Sequence, residues 1–303
     1  MRNLTDFQQK MADLLPELEL RNNESMAKHT SFRIGGPVEI MAFPKTAAEL
    51  AEALKVSALL DCQTAILGAG TNVLAPDAGL SGLVICLKDC LGGMERIDDT
   101  HIRVAAGVTM TRAAVFAANA GLSGLEFAHG IPGTVGGGVY MNAGAYGGEI
   151  CQVCTQVEVM DMAGNLRTYT GEEMKFSYRH SRLEDEGGIV VSAVFALTPK
   201  PTDEIRTLMQ DLMVRRSASQ PLDLPSAGSA FKRPVGGYAA ALIDNAGLKG
   251  HRIGNAAVSE KHAGFVVNLG GATAEDVKNL LNDVSDRVFR ESGIRLEPEV
   301  RIW

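Results

Sequence analysis

The stretch Gly124–Gly148, GLEFAHGIPGTVGGGVYMNAGAYGG, constrains this chain more than any other. Glycine loses more conformational freedom on folding than any other residue, so a dense run is kept for what it permits: positive φ and close approach of backbone N–H groups to a partner. The partner that most often uses such groups is an anion, phosphate above all. A flexible linker would be polar and rich in Ser and Gly. This run instead carries Leu125, Phe127, Ile131, Val135, Val139, Tyr140, Met141 and Tyr146. It reads as a packed loop closing on something both apolar and anionic, and a nucleotide with an aromatic ring system meets both needs.

A second glycine loop comes earlier: Gly68-Ala69-Gly70-Thr71-Asn72, directly after the apolar run Ala65-Ile66-Leu67. A strand feeding a glycine-rich turn is a common phosphate-binding arrangement. It is not the dinucleotide fingerprint G-x-G-x-x-G, because Val73 stands at the third glycine position. Neither loop carries the G-K-[ST] of a nucleoside-triphosphatase. Each loop alone is a weak signal, and two in one chain are a better one.

The chain has 303 residues, 46% of them hydrophobic, with a net charge of −7. That length suggests two or three domains. An acidic chain without a basic run argues against nucleic acid and anionic membrane as partners. No apolar stretch approaches the roughly 18 residues of a membrane-spanning helix. The N-terminus, MRNLTDFQQKMADLLPELEL, lacks the plan of a secretory signal, so a cytosolic protein is expected. Five cysteines fit reduced thiols. Cys151-Gln152-Val153-Cys154 has no second ligand pair for zinc and leads into the strand pattern Val153, Val157, Val159; plain buried cysteines, and no metal, are expected.

Local patterns place the elements. Phe7, Met11, Leu14 and Leu15 recur at helical spacing, and Thr46 with Glu49 reads as a capping box for a helix to about Leu60. Strands are expected at Ala65–Leu67, Leu83–Leu87 and Ile102–Ala106, and a helix from Thr109 to Gly121. After Val153 the texture is β-rich: a hairpin about Ala163-Gly164-Asn165, then a strand Ile189–Leu197. Helices follow at Thr202–Ser219, with Ile205, Leu208, Met209 and Leu212 on one side, and at Tyr238–Ala246. A long helix capped by Thr273 carries the stripe Val277, Leu280, Leu281, Val284, Val288 and Phe289, and a last strand runs Ile294–Ile302. The expected division is three lobes, residues 1–95, 96–210 and 211–303.

Three short motifs carry functional groups. In Phe176-Ser177-Tyr178-Arg179-His180-Ser181-Arg182, arginine suits a carboxylate through its two-pronged donor; a basic surface turn is the plainer account. In Ala227-Gly228-Ser229-Ala230-Phe231-Lys232-Arg233-Pro234, the serine could donate a proton or bind phosphate; it is not the G-x-S-x-G of a hydrolase. In Leu296-Glu297-Pro298-Glu299-Val300-Arg301, strand alternation places the two glutamates and the arginine on one face.

Taken in order, HTSFRIGG, GAGTN, GIPGTVGG followed by NAGAYG, YRHS, GSAFKRP and LEPEVR resemble the UDP-N-acetylenolpyruvoylglucosamine reductases over nearly the whole chain, from His29 to Arg301. The resemblance implies an α+β fold: a two-lobe FAD-binding domain of the PCMH/vanillyl-alcohol-oxidase type, plus a third α+β domain that binds substrate. It implies bound FAD, NADPH as the hydride-donating co-substrate, and a UDP-sugar substrate. The cofactor-binding residues it implies are Arg33; Gly68, Ala69, Gly70, Thr71 and Asn72; Gly130, Ile131, Pro132, Gly133, Thr134, Gly136 and Gly137; and Asn142, Ala143 and Gly144. Arg179, Ser229 and Glu299 would be catalytic, and Tyr178, Lys232 and Arg233 would bind substrate. The compact region Arg233–Lys249, with Tyr238 its only tyrosine, looks like the short form of the family, which lacks a tyrosine-bearing loop. Where some relatives carry Asn after the lysine, this chain has Arg233.

By the same resemblance, NADPH reduces FAD, and the reduced flavin reduces the enolpyruvyl group to give UDP-N-acetylmuramate, in peptidoglycan precursor synthesis. Arg179, and Glu299 if it carries a proton, would stabilise charge growing on the conjugated carboxylate. Ser229 would protonate the adjacent carbon. The enzyme is expected to be cytoplasmic, a monomer or weak oligomer. Two other classes stay open: another FAD-dependent oxidoreductase on the same scaffold, which leaves GSAFKRP and LEPEVR unexplained, and a non-catalytic nucleotide-binding module.

Overall fold

The structure, a computed structural model, describes residues 4–303. Local signals place most elements well. The N-terminal helix spans Leu4–Leu14. Thr46 caps the helix Ala47–Leu59 by accepting the N–H of Glu49 at 3.1 Å, while the Glu49 carboxylate takes the N–H of Lys45 rather than that of Thr46. Thr109 caps Met110–Asn119 through the N–H of Arg112. Thr273 and Asp276 close a full capping box on the helix Ala274–Ser292, which ends at Gly293 with φ +72°.

Two units interleave along the chain. The first takes the residues up to Asn22, Glu39–Ala69 and Ser81–Arg215; the second takes Asn23–Val38, Gly70–Leu80 and Arg216–Trp303. The first is built on two sheets. Leu20–Ser25, Pro37–Ala42, Leu80–Cys86 and Thr64–Leu67 form a four-stranded sheet in that order, with the last pair parallel. Leu166–Thr170, Cys154–Met160, Ile189–Ala196, His101–Ala105 and Met94–Arg96 form a five-stranded antiparallel sheet. Ile40, Leu50 and Ile85 share one continuous apolar cluster with Ile102, Val157 and Phe195. The division expected near residue 95 falls inside the edge strand Met94–Arg96, and the core runs past it without a break.

The second unit holds a four-stranded antiparallel sheet, Ser226–Ser229, Phe265–Asn268, Ala256–Val258 and Arg252–Ile253 in order, with the helices Ala239–Asn245 and Ala274–Ser292. It is larger than the expected 211–303. Phe32, Ile34 and Leu74 share its apolar cluster with Val277, Leu280, Leu281, Val284 and Val288. Val73–Leu74 pairs in parallel with Arg301–Ile302, and the Asp77 carboxylate accepts the N–H of Ala274 at 2.9 and 2.8 Å, at the start of the long helix.

Three expectations are corrected. The last strand is only Arg301–Ile302, because Pro298 has no N–H to offer a ladder and residues 297–299 run beside 231–232 through a single bridge, Phe231 to Pro298. Phe289 lies off the buried stripe, 43% exposed under the Arg295 guanidinium, and Leu208 is 41% exposed although Ile205 and Met209 beside it are buried. Of the Cys151/Cys154 pair, Cys154 is buried in a strand but Cys151 is exposed. Burial pushes the Cys154 thiol up to about 12 and that of Cys86 up to about 11.

Candidate active site

Within the first unit, the two glycine loops meet. A Cβ built on Gly68 would lie 2.6 Å from the Thr134 hydroxyl, so the strand Thr64–Leu67 delivers its loop directly onto the GIPGTVGG segment. Thr134, 2% exposed, caps the short helix Val135–Tyr140 through the N–H of Gly137. The donors of that helix are spent inside the chain: Val135 N–H on Val108 O, Gly136 N–H on Ala106 O and Gly138 N–H on Thr134 O. The donors left over lie just upstream. Among the described residues, the N–H groups of Gly68, Ala69, Gly130, Gly133 and Thr134 have no partner in the chain, and Gly133 holds φ +138°.

The glycines of the run divide accordingly. A Cβ on Gly136 would meet Ala106 at 2.9 Å, one on Gly138 the Met110 sulfur at 2.7 Å, and one on Gly148 the Phe127 ring at 2.5 Å. These three are needed for the chain to pack on itself. Gly137 meets nothing nearer than 3.6 Å, so it is a glycine whose bareness the chain does not itself require. The expectation that Gly136 serves a cofactor is therefore amended: its N–H is taken and its missing side chain makes room for Ala106.

The NAGAYG segment supports a second feature of the same unit. Ser177 and His180 exchange both backbone hydrogen bonds, at 3.1 and 3.2 Å, closing a tight turn with Tyr178 and Arg179 at its tip. Arg179 has φ +56°, and its guanidinium donates to Gly144 O at 3.3 Å and stands 4.9 Å from the Tyr178 ring centre. Asn142, 1% exposed, donates to Glu149 at 3.1 Å and to Ser177 O at 3.0 Å, and its oxygen accepts the N–H of Cys151 at 2.9 Å. Asn142 is among the residues expected to bind cofactor, but both of its amide hydrogens are spent on protein, so the part its side chain plays here is structural. Neither Glu149 nor Ser181, whose hydroxyl donates to Tyr140 O at 2.8 Å, carries a role at the level of sequence; Ser181 was in plain view within YRHS.

The second unit brings Ser229 and Glu299 to adjoining positions. Ser229 ends a strand that carries a register shift, with Gly228 at φ +75°, and its side chain is exposed. Glu299 N–H donates to Ala230 O at 2.9 Å, and Lys232 N–H to Glu297 O at 2.9 Å. Glu299 is half-buried, whereas Glu297 is exposed and its carboxylate holds the Lys232 ammonium. Arg233 stacks 4.5 Å over the exposed Tyr238 ring. Arg33, also in this unit, is exposed with φ +55°, fixed by its N–H on Thr30 O and by Asn268 on Phe32 O. Gly70, φ +60°, leaves no room for a side chain against His29 O. Among the described residues no group of three or more His, Cys, Asp or Glu could hold a metal ion, and no helix is long and apolar enough to cross a membrane.

Residues 38–170 match the model of an FAD binding domain family, and residues 220–303 match that of the UDP-N-acetylenolpyruvoylglucosamine reductase C-terminal domain. The chain is 46% identical to the UDP-N-acetylenolpyruvoylglucosamine reductase of Agathobacter rectalis, over 98% of this chain and 98% of that protein. The chain belongs to the UDP-N-acetylenolpyruvoylglucosamine reductase family. The reductase of Caldanaerobacter subterraneus is 44% identical over 97% of this chain and 96% of its own. The crystal structure of the Thermus caldophilus reductase superposes with a TM-score of 0.79 at 36% identity, covering 95% of this chain and 99% of that one. The reductase is thus an FAD-containing oxidoreductase with a PCMH-type FAD-binding domain and the family's own C-terminal domain. Its first unit fits that cofactor on chemical grounds: the unpaired N–H groups of Gly68, Ala69, Gly130, Gly133 and Thr134 suit the oxygens of a diphosphate, and apolar Ile131 and Pro132 stand among them.

Proposed function

We propose that this reductase converts the enolpyruvyl group of UDP-N-acetylglucosamine enolpyruvate to the lactyl ether of UDP-N-acetylmuramate, with NADPH as reductant, through the residues described above. Bound FAD would supply hydride-transfer chemistry between NADPH and the enolpyruvyl methylene carbon. The N–H groups about Gly68, Ala69, Gly130, Gly133 and Thr134 hold the FAD; the family resemblance assigns Arg33, Gly70, Thr71 and Asn72 to cofactor binding as well. Gly137 gives clearance. Arg179 donates to the substrate carboxylate, on which negative charge grows as hydride arrives. Glu299 is assigned as a further hydrogen-bond donor to the substrate carboxylate. Ser229 gives its hydroxyl proton to the carbon next to that carboxylate, a strongly basic acceptor in the transition state. Tyr178, Lys232 and Arg233 bind the sugar nucleotide, the two cations suiting its diphosphate.

The observation that carries these assignments is the placement of donors: unpaired N–H groups where the two glycine loops meet, and Ser229 beside Glu299 through the Glu299–Ala230 backbone bond. The reading includes the short form of the family, and a cytoplasmic monomer or weak oligomer with neither nucleic acid nor membrane as partner. The net charge of −7 supports the last point.

An anaerobic two-step titration tests it. NADPH should bleach the flavin absorbance of the purified protein, and the enolpyruvyl nucleotide should restore it. Bleaching without restoration would leave an FAD-dependent oxidoreductase of other substrates, and a colourless protein would leave a nucleotide-binding module.

A further inference from the structure

We infer that Asn142 and Ser181 are positioning residues for Arg179: they clamp the two flanks of its turn and hold the arginine in a left-handed conformation. The inference rests on the role in substrate reduction given to Arg179 above. Arg179 occupies the third position of the turn Ser177–His180 with φ +56°. That place normally falls to Gly or Asn, because a Cβ there crowds the following carbonyl. Strain of this kind persists only where the surroundings over-determine it, and it gathers at functional sites. A glycine would relieve the strain and remove the guanidinium.

Two buried side chains supply the clamp, one before the tip and one after. Asn142 donates to Ser177 O at 3.0 Å. Its orientation is unambiguous: its nitrogen faces the Glu149 carboxylate and a carbonyl, its oxygen faces the N–H of Cys151, and exchanging the two would set like against like at all three contacts. Ser181 is fully buried and donates to Tyr140 O at 2.8 Å. Both bonds run to residues 140–142 of the glycine-rich run, and the Arg179 guanidinium reaches Gly144 O in the same segment. The segment that ends the cofactor loop therefore sets the position of the arginine tip. Asn142 itself has no hydrogen left for a ligand.

The test uses the flavin-loaded full chain with Asn142→Ala, Ser181→Ala and Ser181→Thr. Flavin content and the rate of flavin reduction by NADPH should stay within about twofold of wild type. Reoxidation by the enolpyruvyl nucleotide should slow about 100-fold in the alanine variants, the scale expected when a catalytic group is displaced by about an ångström. The loss should fall on kcat rather than KM, and Ser181→Thr should recover most of it. Amide exchange in a peptide covering 177–181 should accelerate in both alanine variants, with or without substrate. In an Arg179→Ala background neither substitution should slow reoxidation further. Losses that add to that of Arg179→Ala, or equal slowing of both half-reactions, would overturn the inference and leave the two residues as general scaffold. If Asn142→Ala does not fold, Ser181→Ala decides alone, and normal reoxidation there is fatal to the idea. A wild-type protein inert toward the substrate would instead overturn the role of Arg179, and this inference with it.

Discussion

Glu299 and Glu297 sit two residues apart, and the structure gives them different surroundings, so their substitution makes a sharp comparison. Glu297 is 70% exposed in its side chain and paired with Lys232. An exposed pair of this kind contributes about 1 kcal/mol or less, so Glu297→Gln should slow flavin reoxidation by no more than about fivefold. Glu299 is half-buried, and its backbone N–H is tied to Ala230 O beside Ser229. Because that tie uses main chain only, replacing the side chain leaves the strand contact in place. Losing one donor to a charge that grows in the transition state costs about 3–4 kcal/mol, or roughly 100- to 1,000-fold. Glu299→Ala should therefore cut the single-turnover rate of reoxidation by about that factor, with flavin reduction by NADPH unchanged. Glu299→Gln, neutral and still a donor, should retain more activity than Glu299→Ala or Glu299→Asp. Stopped-flow traces of the reduced enzyme mixed with enolpyruvyl nucleotide decide the matter. Equal losses at 297 and 299, or Gln no better than Ala at 299, would refute the role of Glu299 as a proton-bearing donor and leave LEPEVR as a structural strand.

Ser229→Ala should leave bleaching by NADPH intact and nearly abolish restoration of colour by substrate, since the hydroxyl acts on substrate carbon alone; impaired bleaching would move Ser229 to the nicotinamide site. Gly137→Val should fold with a near-normal melting temperature and lose flavin, whereas Gly136→Val should fail to fold because its side chain has no room against Ala106; flavin retained in Gly137→Val would remove Gly137 from the cofactor site. In the native protein at pH 8, iodoacetamide followed by peptide mass spectrometry should find Cys151 alkylated before Cys86 and Cys154, whose buried thiols are about a thousandth ionised or less. The folded values of these two groups, about 11 and about 12, lie above their ordinary 9.0. Their contribution to stability is then complete below pH 9 and is lost as pH rises toward 11–12, so melting temperature should fall over that window and fall less in Cys86→Ser/Cys154→Ser protein.

Much of the fold was legible because it rests on local signals. Thr46, Thr109 and Thr273 announce their helices by hydroxyls that reach the third N–H onward, and the hairpin at Asp161–Asn165 turns where Gly164 permits φ +85°. Less legible was what depends on distant chain. Nothing in HTSFRIGG or in Val73–Leu74 says that Phe32, Ile34 and Leu74 pack with a helix some two hundred residues later, or that Asp77 caps it. The alternation of LEPEVR reads as a strand, yet Pro298 breaks the ladder and leaves one bridge to Phe231. At the candidate site, the motifs named the right neighbourhood but not the division of labour. Gly136 and Gly137 look alike in sequence, and only the position of Ala106 separates them. Asn142 within NAGAYG looks like a ligand residue, and only the places of Ser177, Glu149 and Cys151 show where its hydrogen bonds go.

The proposed activity couples oxidation of NADPH to reduction of an enolpyruvyl nucleotide through bound flavin. The most direct test follows NADPH absorbance in the presence and absence of UDP-N-acetylglucosamine enolpyruvate and determines the product mass. NADPH should be consumed only when the nucleotide is present, one molecule for each molecule of product, and the product should be heavier than the substrate by two hydrogens. Consumption that is independent of the nucleotide, or a nucleotide recovered unchanged while NADPH is oxidised, would rule out the proposed activity.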